Sequence, residues 1–424
     1  MKKIYFLILV FVIFFANAQT EGVLVLNEGG AGSNNAEISL ISNQSVVTNN
    51  YFKINNNNAT LGDTAQDIKI FGDKIFVVLN ISNQIKVINK SDFSLITTIS
   101  SNLDNPRYIA FSGNKFYVTN WGGSGSVNNY VAVFDLNTYA HETNISVGSG
   151  PEKIYSKDNR LYVLLKGGFG INQFMDIINI STNTVESQVN VGDFPHSIFE
   201  KDNFLYIMSS GNPYTSNSFG TFTIYNTTTQ NTVSSTTFPA GTKPAYMDTD
   251  GTNIYYMKDA SIYKTPIAAP SFSTTPIATA PITVTSYGTA YGFNVVNNTI
   301  YVADPQGYIA PGKIYTYDLQ GTQQNTFTVS MLPNQVIAYS NASLSTVESP
   351  KASKLSLYPN PTSNKFFVQG LNNGNIQVYD VNGKMIIHAQ YTQNGIDVSM
   401  LSKGVYIVKI TDKNNSFTEK LIIK

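Results

Sequence analysis

Polar and aromatic side chains that suit ligand contacts stand at the ends of several strand-like segments of this chain. The segments VLVLN, IFVVLN, FYVTN, LYVLLK and IYVAD end on Asn27, Asn80, Asn120, Lys166 and Asp304. Glu28 and Trp121, the chain's only tryptophan, directly follow two of these segments. Amide, ammonium and carboxylate groups hydrogen-bond to polar ligand groups, and an indole ring stacks on flat ones. Such a set is typical of a binding surface.

The same segments belong to a repeat. Together with LYIMSS and IYYMKD they form seven copies, which start 41 to 52 residues apart. The copies after the first have a strand-like partner upstream, such as RYIAFSGNK, and two further partners downstream, such as YVAVFDLNT and HETNISVG. A period of about 40 to 50 residues with short strands is typical of β-propeller blades. Apolar residues at both alternating positions fit blades that are covered on both faces.

The repeat count indicates how the predicted ring closes. The N-terminal copy, from Gly22 to Phe52, has no upstream partner, and a lone strand-like piece, PNQVIAYS, follows the last copy. If residues 335–339 supply the missing strand, the two ends of the domain meet in one blade and seven blades result. Closure of the ring removes an open sheet edge. We therefore predict an all-β protein with a seven-bladed propeller.

Blade geometry predicts which residues share a face. We label the strands of a blade A to D from the centre outwards. The B–C loops and the D–A connections leave a blade on the same side, so loop residues before the A strands join the set described above. The predicted ligand-binding residues are Asn27, Glu28, Asn80, Arg107, Tyr108, Asn120, Trp121, Lys166, His196 and Asp304. For Trp121 two interpretations stay open: it packs on a neighbouring loop, or it lines a ligand site.

Signals for catalysis are sparse. The chain has three histidines and no cysteine, and no H-E-x-x-H, G-x-S-x-G or P-loop spacing occurs. The segment DTDGTN at residues 248–253 lacks the glutamate of an EF-hand and falls where other blades have an A–B turn. We assign no catalytic residue, no metal ligand and no cofactor. Glu28, Asp304 and His196 within hydrogen-bonding distance of each other would instead favour an enzyme.

Composition and the two chain ends define the domains. Residues 1–18 have two lysines, an apolar run and an A-x-A motif, which predicts a secretory signal peptide. We expect the propeller at 19–340, a polar linker at 341–353 and a small β-sandwich at 354–424. Only 13% of residues are charged, and acidic and basic residues balance. This balance argues against a nucleic-acid partner.

The C-terminal segment resembles a known export signal. LYPNPTSN, YDVNGKMI, VSMLSKGVYIVKI and the terminal KLIIK are similar to the C-terminal sorting domain of the type IX secretion system of Bacteroidetes. This resemblance implies export through the periplasm to the cell surface or the medium. It also implies the type IX secretion machinery as a partner.

The propeller resembles surface propellers. NPRYIAFSGN, FYVTN and VAVFDLNTY resemble the YVTN family, and GVLVLNEGGAGSNNAEISLI is similar to seven-bladed Bacteroidetes propellers that include cobalamin-capture proteins. The resemblance implies a non-enzymatic surface protein that binds a corrinoid-like small molecule, with a TonB-dependent receptor as a partner. The cobalamin-capture members are lipoproteins, whereas this chain has no cysteine and has a sorting tail. A lactonase-like or quinoprotein-like propeller enzyme and a structural or adhesive surface protein are the alternatives.

Overall fold

A computed structural model of the chain describes residues 21–123, 128–239, 241–282, 290–341, 356–369, 371, 373–380, 384–412 and 415–424. The predicted signal peptide at 1–18 and residues 342–353 of the predicted linker lie outside this part. The chain divides into two compact units, with the boundary between Leu344 and Ser345. Each unit is described by itself.

The first unit is built from strands that are almost all five to eight residues long. In chain order they are β1 (Glu21–Asn27), β2 (Glu37–Ser42), β3 (Val47–Thr48), β4 (Ala65–Phe71), β5 (Lys74–Leu79), β6 (Gln84–Asn89), β7 (Leu95–Ile99), β8 (Pro106–Ser112), β9 (Lys115–Asn120), β10 (Tyr130–Asp135), β11 (His141–Ser146), β12 (Pro151–Lys157), β13 (Arg160–Leu165), β14 (Phe174–Asn179), β15 (Thr184–Asn190), β16 (Pro195–Lys201), β17 (Phe204–Ser209), β18 (Thr221–Asn226), β19 (Asn231–Thr237), β20 (Pro244–Thr249), β21 (Asn253–Lys258), β22 (Ser261–Pro266), β23 (Ala278–Thr279), β24 (Gly292–Val296), β25 (Thr299–Asp304), β26 (Lys313–Tyr317), β27 (Gln323–Thr328) and β28 (Pro333–Ser340). A 3₁₀ turn, Gln306–Tyr308, lies between β25 and β26.

These strands form seven four-stranded antiparallel sheets within the described residues, as the sequence predicts. Blade 1 has the order β28-β1-β2-β3, and blades 2 to 7 each take the next four strands in sequence, from β4–β7 to β24–β27. In every blade the A strand contacts the A strand of the following blade, and β28 contacts both β24 and β4. The seven A strands therefore surround a central channel. The all-β propeller prediction is confirmed.

Strand β28 closes the ring. It pairs antiparallel with β1 along its whole length, for example Val23 with Ala338 and Val25 with Val336. The closing strand predicted at residues 335–339 is confirmed, and it extends to Pro333 and Ser340. The first and last strands of the domain thus share one sheet, and no blade has a bare edge at the closure.

Blade faces bury apolar side chains on both sides, which explains the lack of simple alternation in the sequence. Phe76 and Val78 of β5 belong to one buried cluster with Phe116 and Val118 of β9 in the next blade. Val77 and Leu79, which point to the opposite face of β5, belong to the cluster shared with blade 1. Each B strand is therefore covered on two faces, as expected for sheets stacked around a ring.

One helix interrupts the strand pattern in blade 1. Strand β3 has only two residues, and the chain continues into α1 (Tyr51–Asn55). Phe52 of this helix is fully buried, and its backbone N–H donates to the Glu37 carboxylate over 3.1 Å. Burial is the largest influence on the pKa of Glu37 and raises it above its ordinary value. The sequence pattern predicts no helix here, because five residues are too few to show a helical period.

The second unit is a small β domain, as predicted. Its strands are β29 (Ser356–Tyr358), β30 (Lys365–Gln369), β31 (Gly374–Tyr379), β32 (Met385–Tyr391), β33 (Ile396–Asp397), β34 (Gly404–Asp412) and β35 (Asn415–Ile423). They form one sheet of order β29-β30-β33 and another of order β32-β31-β34-β35. The Asn360 side chain accepts from the Ile422 N–H over 2.9 Å and donates to the Lys420 carbonyl over 2.6 Å, so it pairs with the last strand as a neighbouring strand would.

In the part of the chain that the structure describes, no helix has the length and apolar character needed to cross a bilayer.

Removal of the closing strand tests the ring. A variant that ends at Leu332 lacks β28 and leaves β1 with an unpaired edge, so we expect aggregation on size-exclusion chromatography and loss of cooperative thermal unfolding. The matched control ends at Ser340 and lacks only the linker and the tail. We expect this control to be monomeric and to unfold cooperatively. Equal behaviour of the two variants would contradict the closure by β28.

Candidate functional site

The candidate site lies where the A strands begin, at one end of the central channel. The first residues of several A strands form a bulge against the B strand, for example between Pro106 and Ile109 and between Pro151 and Ile154. Because bulged residues leave the ladder, their side chains take directions that a regular strand does not allow. Arg107, Glu152 and His196 occupy these bulges. We call the group of Glu28, Arg107, Glu152, Lys166 and His196 the channel mouth.

A buried ion pair occupies the middle of the mouth. Arg107 Nε and Nη2 donate to the two Glu152 oxygens over 2.9 and 3.0 Å, which is the bidentate geometry of the strongest charge-assisted pairs. The two side chains are only 13% and 3% exposed. Lys166 Nζ lies 3.7 Å from the same carboxylate. The pair joins blade 3 to blade 4, because Arg107 is on β8 and Glu152 is on β12.

The two carboxylates of the mouth have opposite electrostatic environments. Burial would raise the pKa of Glu152, but the charges of Arg107 and Lys166 outweigh it, so the pKa lies below its ordinary value. Burial dominates at Glu28 and raises its pKa, although a 2.8 Å hydrogen bond from the Tyr291 hydroxyl favours the charged form. Glu152 is therefore a fixed negative charge, whereas Glu28 takes up a proton more readily than an exposed glutamate.

Trp121 packs over the ion pair. The Arg107 Cζ atom lies 4.1 Å from the centroid of the indole ring, and the Phe169 ring meets the indole edge-on at 5.7 Å. Trp121 is half-buried, and its Nε1 has no hydrogen-bond partner among the described residues. The ring thus packs on the neighbouring B–C loop and covers Arg107 of the channel mouth. A contact between Trp121 and a ligand stays a prediction.

His196 is held in one orientation by two hydrogen bonds. Its Nε2 is 3.3 Å from the Pro244 carbonyl, and the Ser197 hydroxyl lies 2.9 Å from Nδ1. A carbonyl only accepts, so Nε2 carries the proton and Nδ1 accepts from Ser197. Burial, together with the positive charge of Lys166, lowers the pKa of His196 to about 3. The ring is therefore neutral at pH 7.

Four of the predicted site residues are buried and hydrogen-bonded to their own or a neighbouring blade. The Asn27 amide donates to the Glu37 carbonyl over 3.1 Å, and the Asn80 amide donates to the Pro106 carbonyl over 3.2 Å. The Asn120 amide oxygen accepts from the Asp104 N–H over 2.9 Å. The Asp304 carboxylate accepts from the Gln306 N–H over 2.9 Å. The structure places these side chains inside the blades and not on the mouth.

Tyr108 directly follows Arg107 on β8, and its side chain belongs to the buried cluster between blades 3 and 4. Its side chain is largely buried, its hydroxyl accepts from the Gln66 amide over 2.9 Å, and Lys153 Nζ lies 3.9 Å from its ring centroid. Burial is the main influence that lowers the pKa of Lys153. Tyr108 therefore shields a second cation in the channel, in the same way that Trp121 covers Arg107.

Exposed apolar side chains lie on the B–C loops of blades 2, 4, 5 and 7, at the same end of the channel as the mouth. Ile309 is 88% exposed, Tyr214 is 76% exposed and Phe169 is 68% exposed. Ile81 and Phe219 are exposed on two of these loops as well. We call these five residues the apolar rim. These side chains supply apolar surface on the same side of the propeller as the channel mouth.

Sequence reasoning did not select several residues of this site. Glu152, Tyr291 and Phe169 were absent from the predicted set. The signal for Glu152 is the proline at the start of the A strand, because Arg107 and His196 also directly follow such a proline. Glu152 and Tyr291 also lie in or beside the D–A connections, which blade geometry places on this face, although neither is among the predicted ligand-binding residues. No comparable signal marks Phe169, whose position depends on loop conformation.

The arrangement does not assemble the acid–base group that would favour an enzyme. Among the described residues Glu28 bonds to Tyr291, His196 to Pro244 and Ser197, and Asp304 to Tyr315 and Gln306, with no hydrogen bond between the three. The described residues also hold no group of three or more metal-ligating side chains. Residues 250–252 of the segment 248–253 form the turn between β20 and β21, where the Asp250 carboxylate accepts from the Asn253 N–H over 2.6 Å.

Comparison with known proteins identifies both parts of the chain. A family model described as "Domain of unknown function (DUF5074)" matches residues 21–331, more than half of the chain. The chain belongs to this family. Residues 356–424 match the model described as "Secretion system C-terminal sorting domain". The DUF5074 propeller is therefore the cargo of a type IX secretion system and is exported to the cell surface or the exterior.

Individual similar proteins support the fold of the chain but do not identify its function. A quinonprotein alcohol dehydrogenase-like protein from Bacteroides thetaiotaomicron is similar to the DUF5074 chain with a TM-score of 0.56 at 11% identity, over 76% of this chain and 78% of the other. A functionally unknown protein from Desulfotomaculum acetoxidans has a TM-score of 0.56 at 10% identity, over 75% and 98%. An endo-acting ulvan lyase from Formosa agariphila is 33% identical over 79 residues, which are 17% of this chain and 15% of that protein. The DUF5074 chain thus spans only a small part of that relative's length.

Substitution of Glu152 tests the buried ion pair. Glu152→Gln leaves the Arg107 charge without its carboxylate, and we expect the free energy of unfolding to fall by about 3–5 kcal/mol. The control is Glu186→Gln, which removes the partner of Arg160 in a more exposed ion pair. We expect that change to cost about 0–1 kcal/mol. Equal losses, measured by urea unfolding at pH 7, would show that the mouth pair has no special role in stability.

The pH dependence of stability tests the environment of His196. Below its unfolded-state pKa of about 6.5 the unfolded chain takes up a proton on this histidine, whereas the folded chain stays neutral down to about pH 3. Acidification from pH 7 to 5.5 should therefore destabilise the protein by about 1 kcal/mol through this residue. His196→Gln keeps a donor for the Pro244 carbonyl and should lose less stability over that interval. If urea unfolding gave the same pH dependence of stability for His196→Gln and for the wild type, the lowered pKa of His196 would be contradicted.

Proposed function

We propose that the DUF5074 propeller is a non-enzymatic binding protein of the cell surface and that its ligand sits on the channel mouth. The observation that carries this proposal is the Arg107 guanidinium, which Glu152 holds on one side and the Trp121 ring covers. A charged group fixed in this way keeps its direction before a ligand arrives, and such preorganisation lowers the cost of binding. The apolar rim around it supplies contact area.

The combination of a charged centre and an apolar rim favours a large, flat ligand with polar groups at its edge. A corrinoid has this character, and the resemblance to cobalamin-capture propellers favours the same class. In this proposal Lys166 and Arg107 contact anionic or amide groups of the ligand, whereas Trp121 and Phe169 stack against its flat part. A TonB-dependent receptor would be the partner that receives the ligand.

The alternative functions have less support. A lactonase-like or quinoprotein-like enzyme needs acid–base or metal-binding groups that converge, and Glu28, His196 and Asp304 bond to other partners. In a purely structural or adhesive protein the buried charge pair would serve only to join blade 3 to blade 4, and its place at the end of the channel would have no further use. Desolvated charges are costly unless they are paired, so their placement at an open mouth favours a role in recognition.

Calorimetric titration tests the ligand proposal. We would titrate the propeller, residues 19–340, with cobalamin and with haem, after the closure experiment above has shown that this part folds alone. We expect cobalamin to bind, and we expect Trp121→Ala and Phe169→Ala each to weaken that binding by about 1–3 kcal/mol, as for anchoring aromatic residues. Phe169→Ala is included because Trp121 also packs against Arg107, whereas Phe169 is mostly exposed.

A control on the opposite side of the propeller makes the titration specific. Phe71 ends strand A of blade 2, is 38% exposed and stacks on Phe111 at 4.4 Å. Phe71→Ala should leave the affinity unchanged. Binding of haem but not cobalamin would retain the mouth as a site and reject the corrinoid class. Binding of neither, or equal losses in all three variants, would contradict the proposal.

A further inference from the structure

Exposed apolar residues of the tail converge on one sheet face. Met385, Ile386, Val405 and Ile407 are 48%, 40%, 38% and 38% exposed. They lie in the sheet β32-β31-β34-β35. The opposite face of this sheet packs on the core of the tail, where Val378 and the other inward residues are buried. The tail therefore has an apolar core on one side of this sheet and an apolar surface on the other.

Strand register shows that the exposed residues form one patch. Tyr379 of β31 pairs with Met385 of β32 on one side and with Ile407 of β34 on the other. Val405, two residues from Ile407, pairs with Ile422 of β35. Directly opposed residues on neighbouring strands have Cβ atoms about 5 Å apart, so these side chains touch or nearly touch. We call Tyr379, Met385, Ile386, Val405, Ile407 and Ile422 the tail patch.

Positive charge lies beside the tail patch on the same face. Lys420 pairs with Ile407, and Lys409 pairs with Gln377, which lies two residues from Tyr379 on the same face of β31. The other described side chains that face outwards on these strands are polar or apolar, and none of them is a carboxylate. The charges of the two lysines are therefore not balanced on this face.

We propose that the tail patch is the surface on which the type IX export machinery docks, through an apolar ridge of the machinery flanked by carboxylates. A sorting domain acts by being bound, so it must present a protein-binding surface. Contiguous apolar side chains are the usual core of such a surface, with polar groups at its rim. Lys409 and Lys420 fit acidic groups at the rim of the partner.

Self-association through the tail patch is disfavoured by the same lysines. In a face-to-face dimer of two tails, Lys409 and Lys420 of each copy would lie against the lysine-bearing face of the other. Like charges brought together across an interface are costly. An export component with carboxylates at the rim avoids this cost. The proposal is independent of any ligand on the channel mouth, because it concerns the tail alone.

Export of the full-length protein tests the tail patch. We would introduce Ile407→Asp and, separately, Ile386→Asp, and measure the protein in the periplasm, on the cell surface and in the medium. A charge within the apolar part of an interface should lower export by about tenfold or more, as for other hot-spot positions, with accumulation in the periplasm. The matched control is Met400→Asp, because Met400 is 95% exposed and lies on a loop outside the patch. This control should be exported normally.

Two further measurements separate docking from folding and from dimerisation. Lys409→Glu changes only an exposed rim charge, and we expect reduced export with an unchanged melting temperature of the purified protein. The proposal would be overturned if the two Asp variants showed both reduced export and a lowered melting temperature while Lys409→Glu was exported normally. So would normal export of all the variants. A wild-type protein that dimerises, with monomeric Asp variants, would assign the patch to a second copy instead.

Discussion

The free inner edge of each blade is the constraint on which the propeller depends. Seven A strands meet around a channel, and each leaves backbone groups that no further strand pairs. Side chains of the neighbouring A strand supply the missing partners. Asp67 accepts from the Ile109 N–H over 3.0 Å, and Gln335 bonds to both the N–H and the carbonyl of Ile68. In the same way the Asp248 side chain accepts from the Val295 N–H, and the Asn294 side chain accepts from the Val336 N–H. Buried backbone groups that lack a partner cost stability. Polar residues on the A strands therefore have a structural role, whether or not they also contact a ligand.

The channel mouth follows from that constraint. At blades 3 and 4 the ion pair between Arg107 and Glu152 joins the two A strands, and it lies at the open end of the channel. Trp121 reduces the access of water to Arg107, which strengthens the pair. The ion pair joins two blades and lies at the end of the channel, so in the proposed site it is held rigidly where a ligand would contact it. This combination explains why one cluster serves both the ring and the candidate site.

The repeat predicted the fold because each copy has a period that only a ring of blades explains, and because the odd strand at residues 335–339 completed the count. Prediction of the site was less complete. Asn27, Asn80, Asn120 and Asp304 end strand-like segments, and a polar residue at a strand end suits a ligand contact and a contact between blades equally well. The sequence alone does not show which way these four side chains point, because their direction depends on the bulges and on the path of each loop. The helix at Tyr51–Asn55 was not predicted because five residues are too few to show a helical period.

The position of the closing strand also bears on the role of the tail. Strand β28 ends at Ser340, so the propeller has all its strands before the tail begins, and the tail is not required to complete any blade. The tail has a separate core of its own, which includes Phe366, Val378 and Val408. A domain that stabilises itself and completes nothing else has no internal reason to leave Ile386 and Ile407 in water. Exposure of such side chains costs solubility and favours aggregation, and their retention is most simply explained by contact with another protein during export.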